Sequence, residues 1–421
     1  MIDRRSFLKS GAAVGMAFSA ASRGVAFSTG DDPLGVRKDF PVTEKMTYIN
    51  CAYVGPMPRV VHEAALQYAE EQLLNPAIGL DISMERKESA RRKFAELFGA
   101  KPEEIALLFS TSDAENIVTR ALDLKPGDNV VIDELHFITT FVLYRELEKT
   151  NGIELRIVPH RDGRAPIEDF EARVDRRTRL ISVAWVSNRN GYRHHLPSLA
   201  ELAHRNGGYL FADGIQALGC FPANLNEEGA DFVGGNSYKW LLASWGAAPF
   251  YVREEHLALI RPDRFGHNQV AEDLPDFRFR LHETAKKYEY AGLNYGAVAQ
   301  LEASLGYLSN VGLSRVEEHT VSLARTLRDG VAKLGYEMFT PPDNPSAIVS
   351  FVHGRDPKVV KQALDDEKIS VTLRENETQI RASVGLFNNL SDMEHLLELL
   401  AKIDLAPYSD HSKEREGLSK R

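Results

Sequence analysis

Residues 209–216 read YLFADGIQ, and this short stretch carries the two features that predict the fold. Tyr209–Ala212 is an apolar run of the length of a buried strand, and the Asp213-Gly214 pair that follows is typical of a turn. In open α/β sheets, ligands bind at the carboxyl ends of the strands, which is where Asp213 would lie. An aspartate in this position can equally cap a helix, so the stretch predicts a strand end and leaves its function open.

Six further short apolar runs lie on either side of this stretch, and most are bounded by Gly, Pro, Asp or Asn. They are Ile105–Ser110, Asn129–Asp133, Leu155–Pro159, Leu180–Val186, Phe232–Gly235 and Pro249–Val252. Residues at helical spacing fill several gaps between them, at Asp113–Leu122, Thr139–Lys149 and Leu196–Arg205. Strands that alternate with helices predict an α/β protein whose large domain is built on a seven-stranded, mostly parallel sheet.

The C-terminal part has a different pattern. Tyr295–Val311 reads as one helix that links two domains, and helical patterns at Leu313–Leu334 and Ser391–Ile403 surround three short apolar runs. The runs are Ala347–Val352, Ile369–Leu373 and Gln379–Val384. This mixture predicts a smaller C-terminal α+β domain.

These patterns divide the chain into five predicted segments. They are a signal peptide at residues 1–30, a linker or arm at 31–47, a large domain at 48–294, a linking helix with the small domain at 295–407, and a disordered tail at 408–421. Helical spacing also occurs at Val60–Leu74 and Met84–Phe98, and we expect residues 48–75 to pack with the small domain.

Composition argues against two classes of partner. The chain has 421 residues and a formal net charge of −9, and no basic stretch runs along its folded part, so nucleic acid and anionic membranes are not expected to bind. No internal stretch is apolar for long enough to predict a stable membrane span. Cys51 and Cys220 are too far apart for a CxxC site, so no metal is predicted; they could form one disulfide, although two unpaired cysteines are the simpler interpretation.

The N-terminus has the pattern of an export signal. Arg4-Arg5 is followed by Phe7-Leu8-Lys9 and then by a small-residue apolar run from Gly11 to Ala21. The arginine pair resembles a twin-arginine (Tat) signal, which predicts a periplasmic protein that meets the Tat translocase during export. An amphipathic N-terminal helix is the alternative, and the signal could be cleaved between about Ala21 and Gly30 or kept as an anchor.

Polar residues follow several of the predicted strands. Ser112, Asp113 and Ala114 begin a helix after the first strand, where free backbone N–H groups and the helix dipole favour an anion such as phosphate. Asn188 ends another strand. Taken singly, both are common features, since Ser, Asp and Glu are usual capping residues and Asn is a usual turn former.

Lys239 lies in the stretch Asn236-Ser237-Tyr238-Lys239-Trp240, after a further strand. A nucleophilic lysine must lose its proton, so it needs a confined site that lowers its pKa. A single lysine is more often solvated at the surface. The order of the four features along the chain is more informative than any one of them.

That order resembles the class V aminotransferase family of enzymes, which have fold type I and use pyridoxal 5'-phosphate (PLP), in the branch of isopenicillin-N epimerase-like proteins, cysteine desulfurases and kynureninase. The resemblance runs from about Tyr48 to Ile403 and includes Val186-Ser187-Asn188, Asp213-Gly214-Ile215-Gln216-Ala217, Ser237-Tyr238-Lys239 and Gln379-Ile380-Arg381-Ala382-Ser383. It implies a PLP enzyme that forms a homodimer.

The resemblance also implies roles for particular residues. Lys239 would hold the cofactor as an imine and act as the catalytic base, and Asp213 would keep the pyridine nitrogen protonated. Asn188 and Gln216 would lie near the phenolic oxygen. Arg381 would bind the substrate carboxylate, for which a guanidinium is suited.

The remaining cofactor contacts follow from the same resemblance. Ser112, Asp113, Ala114 and Tyr238 would bind the phosphate, and Asn236 would belong to the cofactor site. Phe137 would stack on the ring, unless a shift of one residue gives that position to His136.

Two departures from the family pattern affect the predicted chemistry. The phosphate loop reads Ser112-Asp113-Ala114-Glu115, so a threonine hydroxyl is missing and an acidic side chain is added. The loop that carries a nucleophilic cysteine in desulfurases would lie between Ile369 and Gln379, where the chain has no cysteine, and this predicts an enzyme that is not a cysteine desulfurase.

The expected activity is aminotransfer or epimerisation of an amino acid or an amino-acid group, for example in the periplasmic tailoring of a siderophore. A C–S or C–C lyase is the alternative enzyme class. A PLP-fold protein that binds a ligand without turnover is the non-enzyme alternative.

Overall fold

The computed structural model describes residues 32–403. The predicted signal at residues 1–30 and the predicted tail at 408–421 lie outside the described residues. Within the described part, no helix is both long and apolar enough to cross a membrane, and no group of three or more His, Cys, Asp or Glu side chains is arranged to hold a metal ion.

The strands are named in chain order. They are β1 (Thr47–Tyr48), β2 (Ile105–Leu108), β3 (Asn129–Asp133), β4 (Glu154–Val158), β5 (Thr178–Ala184), β6 (Tyr209–Asp213), β7 (Phe232–Gly234), β8 (Ala248–Val252), β9 (Val270–Leu274), β10 (Arg278–Leu281), β11 (Glu337–Met338), β12 (Ile348–Val352), β13 (Ile369–Ser370), β14 (Thr372–Arg374) and β15 (Gln379–Ser383).

The α-helices are named in the same way. They are α1 (Arg59–Leu74), α2 (Pro76–Leu97), α3 (Thr111–Ala121), α4 (Ile138–Asn151), α5 (Ile167–Glu171), α6 (Leu196–Arg205), α7 (Tyr295–Val311), α8 (Leu313–Lys333), α9 (Pro357–Asp366) and α10 (Leu390–Lys402). Short 3-10 helices lie at Arg37–Asp39, Pro41–Glu44, Pro102–Glu104, Glu254–His256, His267–Gln269 and Ala285–Tyr288.

The large sheet confirms the predicted fold class. Its seven strands lie in the order β2-β8-β7-β6-β5-β3-β4, and only β8 runs against the others. Successive residues of its strands point to opposite faces, so Val131 joins the core on one side while Val130 and Ile132 join the core on the other. Helices cover both faces, so both faces of the sheet are apolar and the strands read as continuous hydrophobic runs.

The small domain is built on an antiparallel sheet in the order β11-β12-β15-β14. The chain before the large sheet contributes to it, because β1 pairs in parallel with β13 and Asn50 forms an isolated bridge with Ser383. Helix α1 packs mainly on α7 and α2. Residues 47–52 therefore join the small domain to the large one.

Three local differences from the sequence predictions have physical causes. Helix α2 begins at Pro76, before the predicted Met84, because Pro suits a first helical turn and the Asn75 side chain caps it by accepting from the Ile78 amide. The run Ile369–Leu373 breaks into two strands, since β13 pairs with β1 and β14 pairs with β15. The hairpin β9–β10 was not predicted, because its residues are mostly exposed and charged.

Cys51 and Cys220 are both buried and unpaired. Burial raises the pKa of each thiol, so neither is disposed to act as a thiolate.

Candidate functional site

A cavity of about 230 Å³ opens at the carboxyl edge of the large sheet, where the turns after β2, β5, β6 and β7 meet. Eight of the predicted site residues line this cavity. The predicted ones are Ser112, Phe137, Asn188, Asp213, Gln216, Asn236, Tyr238 and Lys239. The sheet topology brings together residues that are more than a hundred positions apart in the sequence.

Lys239 is buried in the wall of this cavity. Burial lowers the pKa of its amine to about 8, and the charge of Arg381 acts in the same direction while that of Asp213 opposes it. The backbone holds the residue firmly: a Cβ on Gly55 would lie 1.8 Å from the Lys239 carbonyl oxygen, and the Leu242 amide donates to that oxygen at 3.1 Å. A nucleophile or a base must be neutral, and the lowered pKa makes the neutral amine far more abundant at neutral pH than it is in an exposed lysine.

Asp213 ends β6 and faces the same cavity. Burial raises the pKa of its carboxyl group to about 6, although the Ile215 amide donates to Oδ1 at 2.9 Å and Lys239 lies near. A buried carboxylate with so little compensation is stabilised by a cationic partner. A protonated pyridine nitrogen would supply one.

The amino end of α3 forms the anion-binding end of the cavity. The Ser110 hydroxyl caps the helix by accepting from the Asp113 amide at 3.1 Å, and the Thr111 hydroxyl donates to the Gly235 carbonyl at 2.9 Å. The amides of Thr111 and Ser112 belong to the first turn, where helices have no intrahelical acceptor. Their N–H groups can therefore bind a phosphate.

The structure places Asp113 and Ala114 outside the cavity wall. The Asp113 amide is used by the Ser110 cap, and its carboxylate accepts from the Ser110 hydroxyl at 3.0 Å and lies 3.5 Å from Arg264. Ala114 is buried in the core against Gly234, and its position in the helix commits its amide to an intrahelical bond. The added acidic side chain thus points to Arg264 and away from the cavity.

Aromatic side chains surround the remaining space. Phe137 lines the cavity and is 41% exposed, whereas His136 is buried and lies outside the cavity wall, with Nε2 3.2 Å from the Ser182 hydroxyl. Of the two alternatives for the stacking ring, only Phe137 is in position. Tyr238 stacks on Trp245 with 4.7 Å between ring centroids and 16° between planes.

The three amide side chains of the site differ in how many of their hydrogen bonds are made within the protein. Gln216 accepts from the Trp240 indole at 2.6 Å and donates to the Ala52 carbonyl at 2.9 Å, so its carbonyl is held by the protein. The Asn236 oxygen accepts from the Ser237 amide at 2.8 Å. The Asn188 oxygen is buried without a hydrogen-bond partner.

Arg381 lies on β15, outside the wall of the 230 Å³ cavity but next to Asn188. Nη1 donates to the Asn188 carbonyl at 2.8 Å and Nη2 to the Thr372 hydroxyl at 3.0 Å, while Nε is buried without a partner. Burial, and then the charge of Arg374, lowers the pKa of Arg381 to about 9. Among the described residues no carboxylate forms an ion pair with this buried cation, so it suits a carboxylate from the substrate.

Sequence reasoning missed the role that Glu115 has in the site. Glu115 lines the cavity, is buried, and accepts from Ser182 at 2.6 Å and from Thr140 and Tyr144 at 3.0 Å each. Burial raises its pKa to about 7. The sequence pattern gave Glu115 as a capping residue and as the end of the phosphate loop, and the apolar residues that follow it in α3 were the available signal that its face of the helix is buried.

The residues present fit PLP. The cavity combines a helix N-terminus for a phosphate, a buried acid for a pyridine nitrogen, an aromatic wall and a buried lysine amine for covalent attachment. Two polar atoms without partners, Asn188 Oδ1 and Arg381 Nε, mark places where the protein leaves hydrogen bonds to a bound molecule.

Comparisons with known proteins agree with this site. The class-V aminotransferase family matches residues 56–396, so the chain belongs to that family. A probable cysteine desulfurase of Methanothermobacter thermautotrophicus is 27% identical over 393 residues, which is 87% of this chain and 97% of the relative. PLP is the cofactor that the family and the site residues identify.

Two solved structures have the same fold. The apo cysteine desulfurase of Thermococcus onnurineus matches with a TM-score of 0.79 and 25% identity, over 90% of this chain and 99% of that one. C-DES, described as a cystine C–S lyase, matches with a TM-score of 0.80 and 21% identity, over 86% and 99% of the two chains. A variant of C-DES carries glycine covalently linked to its PLP.

These relatives contradict the prediction that the chain is not a cysteine desulfurase. The prediction was wrong because it inferred the whole activity from one position. The segment between β13 and β15 indeed has no cysteine and forms β14 with a tight turn at Glu375–Glu377, where all three residues have positive φ. That observation concerns which group receives the sulfur and does not exclude cleavage of the C–S bond.

Proposed function

We propose that the protein is a PLP-dependent C–S lyase that acts on a sulfur-containing amino acid. The observation that carries this proposal is the pair formed by Lys239, a buried amine with a pKa lowered to about 8, and Arg381, a buried guanidinium with an uncommitted Nε. One can move the α-proton while the other holds the α-carboxylate. The names of the relatives favour C–S cleavage over the other reactions that this pair permits.

Each residue has a defined task in this proposal. When bound, PLP withdraws electrons from the α-carbon and so permits loss of the α-proton and departure of a β-sulfur. Arg381 binds the α-carboxylate through Nε and sets the orientation of the α-carbon. Lys239 Nζ takes the α-proton and can return it. Asp213 stabilises a proton on the pyridine nitrogen, and the amides of Thr111 and Ser112 bind the phosphate.

The sequence alone favoured aminotransfer or epimerisation, with siderophore tailoring as an example. The comparisons support the lyase alternative better than that first choice, because the relatives are named for desulfuration. The phosphate loop differs from the family pattern, and this difference suggested a protein that binds a ligand without turnover. The difference no longer supports that alternative strongly, because Asp113 points to Arg264 and away from the cavity.

The direct test is an assay of the holoenzyme with L-cysteine, L-cystine and S-alkyl cysteines. Released sulfide, persulfide or thiol is measured together with alanine and pyruvate. We expect release of sulfur that depends on PLP and is lost in Lys239→Ala. Racemisation or formation of a keto acid with the sulfur retained would replace the lyase by an isomerase or an aminotransferase, and no conversion of any amino acid would favour a binding protein.

We further propose that the protein is exported through the Tat route to the periplasm and acts as a homodimer. The support for export is the Arg4-Arg5 pair with the apolar run that follows it, which lies outside the described residues. A reporter fused to residues 1–30 should be exported, and changing both arginines to lysine should abolish this; unchanged export would refute the Tat proposal. Sedimentation of the purified protein tests the dimer.

A further inference from the structure

A second cavity of about 480 Å³ opens beside the cofactor cavity. We call it the vestibule. Phe137 and Asn188 line both spaces, so the vestibule leads directly to the site of Lys239. Its other walls come from the turns after β3, β4 and β5, the start of α4 and the end of β14, and the charged and ionisable residues among them include Glu134, His160, Arg189, Arg374 and Glu375.

Arg374 is placed to extend the carboxylate site of Arg381. Thr372 and Arg374 are two residues apart on β14 and so point to the same face of the sheet, and the Thr372 hydroxyl already accepts from Arg381. The rise along a strand puts Arg374 about 7 Å beyond Thr372. The two guanidinium groups are near enough for Arg374 to lower the pKa of Arg381.

Arg374 is the second guanidinium of the vestibule, and the charge of the neighbouring Glu375 only partly offsets the effect of its burial. Its Nε is buried without a hydrogen-bond partner, and among the described residues no carboxylate pairs with it. Glu375 pairs with Arg189 at 3.0 Å, and a Glu134 oxygen accepts from the His160 amide at 2.9 Å. Arg374 as a whole is only partly buried, and an anion supplied by a ligand would stabilise the part of its guanidinium that is removed from water.

The His160 ring gives a second, independent sign of a missing ligand. His160 lines the vestibule, its Nδ1 is buried without a hydrogen-bond partner among the described residues, and the ring packs edge-on against Phe339 with 5.4 Å between centroids. The vestibule is thus lined by two side chains, Arg374 and His160, that each carry a buried nitrogen without a partner among residues 32–403.

We propose that Arg374 is a specificity residue that binds a second carboxylate, located at the far end of the substrate's side chain. The substrate is then a sulfur amino acid that carries two carboxylates, one held by Arg381 and the other by Arg374 with His160 beside it. This inference rests on the proposed C–S lyase function and names the substrate class of that same site.

The chemistry with such a substrate balances without an added oxidant. For a thioether, Lys239 takes the α-proton, the C–S bond breaks, and the sulfur leaves as a thiolate with its electron pair. Water then converts the remaining three-carbon fragment into pyruvate and ammonia, so the overall products are a thiol, pyruvate and ammonia. The thiol keeps the second carboxylate, and Arg374 does not take part in the bond changes.

The test compares two substrates that differ in one group. S-carboxymethyl-L-cysteine ends in a carboxylate, and S-carbamoylmethyl-L-cysteine ends in a neutral amide of nearly the same shape. Thiol release is measured with the holoenzyme of wild type, Arg374→Gln and Arg374→Lys. The control is Arg176→Gln, because Arg176 is exposed and precedes β5 at the opposite edge of the sheet.

We expect the kcat/KM of wild type to be roughly 10-fold to 100-fold higher for the carboxylate substrate than for the amide substrate. This ratio corresponds to the usual strength of a hydrogen bond to a charged group. Arg374→Gln should remove this preference mainly through KM and change the amide reaction by less than about 3-fold. Arg374→Lys should keep part of the preference because it keeps the charge, and Arg176→Gln should match wild type. Equal losses on both substrates, or no preference in wild type, would overturn the proposal.

Measurements of ligand binding test the carboxylate site of Arg374 separately from the proposed lyase activity. Dissociation constants for both compounds are taken from the change in the visible absorption of the holoenzyme, which needs no turnover. A preference for the carboxylate that depends on Arg374, without thiol release, would refute the lyase and leave the second carboxylate site standing. Thiol release with equal dissociation constants would support the lyase and refute the role of Arg374.

Discussion

Asp213 ends β6 and Asp231 immediately precedes the neighbouring strand β7, so the two carboxylates lie at the carboxyl and amino edges of one sheet, and their pKa values shift in opposite directions. Asp231, just before β7, accepts from His256 at 2.6 Å, from His204 at 2.9 Å and from the Leu210 amide at 2.7 Å. Burial would raise its pKa, but these hydrogen bonds outweigh burial and lower it. At Asp213 burial prevails, and the pKa rises to about 6.

The difference shows which edge is built for stability and which for binding. At the amino edge, hydrogen bonds from the protein itself stabilise the Asp231 carboxylate, as is usual for buried polar groups. At the carboxyl edge, Arg381 and Asn188 keep buried atoms without partners among the described residues, and burial prevails over the charge interaction between Asp213 and Lys239. A bound molecule would therefore stabilise this edge.

The largest effect should come from Lys239→Ala. We expect kcat/KM to fall by about 10⁴-fold, since the residue acts both as the point of attachment and as the base. The cofactor-free protein should unfold at the same temperature as wild type or higher, because a buried amine with a lowered pKa is removed. Steady-state kinetics and thermal unfolding measure the two effects, with Lys149→Ala at an exposed position as the control. A lower unfolding temperature would show that Lys239 is a structural residue.

Opposite stability changes are expected for Asp231→Asn and Asp213→Asn. In the cofactor-free protein, the free energy of unfolding at pH 8 should fall by about 3 kcal/mol for Asp231→Asn, as when a buried charge pair is broken. It should rise by about 3 kcal/mol for Asp213→Asn, because a pKa raised from 3.8 to about 6 corresponds to two units at about 1.4 kcal/mol each. Urea unfolding measures both, and changes of the same sign would refute the contrast.

The pH dependence gives the same pair a sharper test. Asp213 has a raised pKa in the folded state, so its destabilising effect appears as the pH rises from about 4 to 6 and should vanish at pH 4. Asp231 has a lowered pKa in the folded state. Its contribution to the free energy of unfolding is therefore present above pH 3.8 and is lost as the pH falls through the lowered pKa of the folded protein. Hydrogen bonding to Asp231 raises the pKa of His204. The stability that protonated His204 contributes is therefore fully present below pH 6.5 and is lost as the pH rises through the raised pKa.

A smaller effect is expected for Arg381→Lys. A lysine keeps the charge but cannot present the planar fork, so kcat/KM should fall by roughly 100-fold, mainly through KM. Kinetics with an S-alkyl cysteine and with its decarboxylated amine provide the measurement. The amine should react equally well with both enzymes. A similar loss with the amine would contradict the carboxylate role.

The smallest effect is expected for Glu115→Gln. Glu115 has a pKa raised to about 7 by burial, lines the cavity wall, and is near enough to Asp213 for that carboxylate to raise its pKa further. We expect kcat to change by less than about 10-fold at the optimum and the limb of the pH profile near pH 7 to shift or disappear. Glu146→Gln, at an exposed position, should leave the profile unchanged. An unaltered profile in Glu115→Gln would limit this residue to packing.

The sequence predicted the large sheet well because each of its strands is a short apolar run bounded by turn residues. Helices Leu196–Arg205 and Tyr295–Val311 were predicted with the residues that the structure shows. Periodicity could not find the hairpin β9–β10, which buries little, or the break at Val371, which depends on two different pairing partners. Both features arise from tertiary pairing.

The site was predictable only in part for a related reason. Lys239, Asp213, Asn188 and Phe137 follow strands and therefore meet at one edge, which the topology requires. Asp113 turned away because Arg264, distant in sequence, lies beside it. The vestibule could not be read from the chain, because it joins residues near positions 134, 160, 189 and 374 that follow four different elements.

The most direct test of the account is to reduce the holoenzyme with borohydride and to map the label by mass spectrometry. We predict an absorption band near about 410–430 nm before reduction and a pyridoxyl group on the peptide that contains Lys239 afterwards. A label on a different lysine, or no band and no label after addition of PLP, would contradict the assignment of this edge of the sheet as the cofactor site.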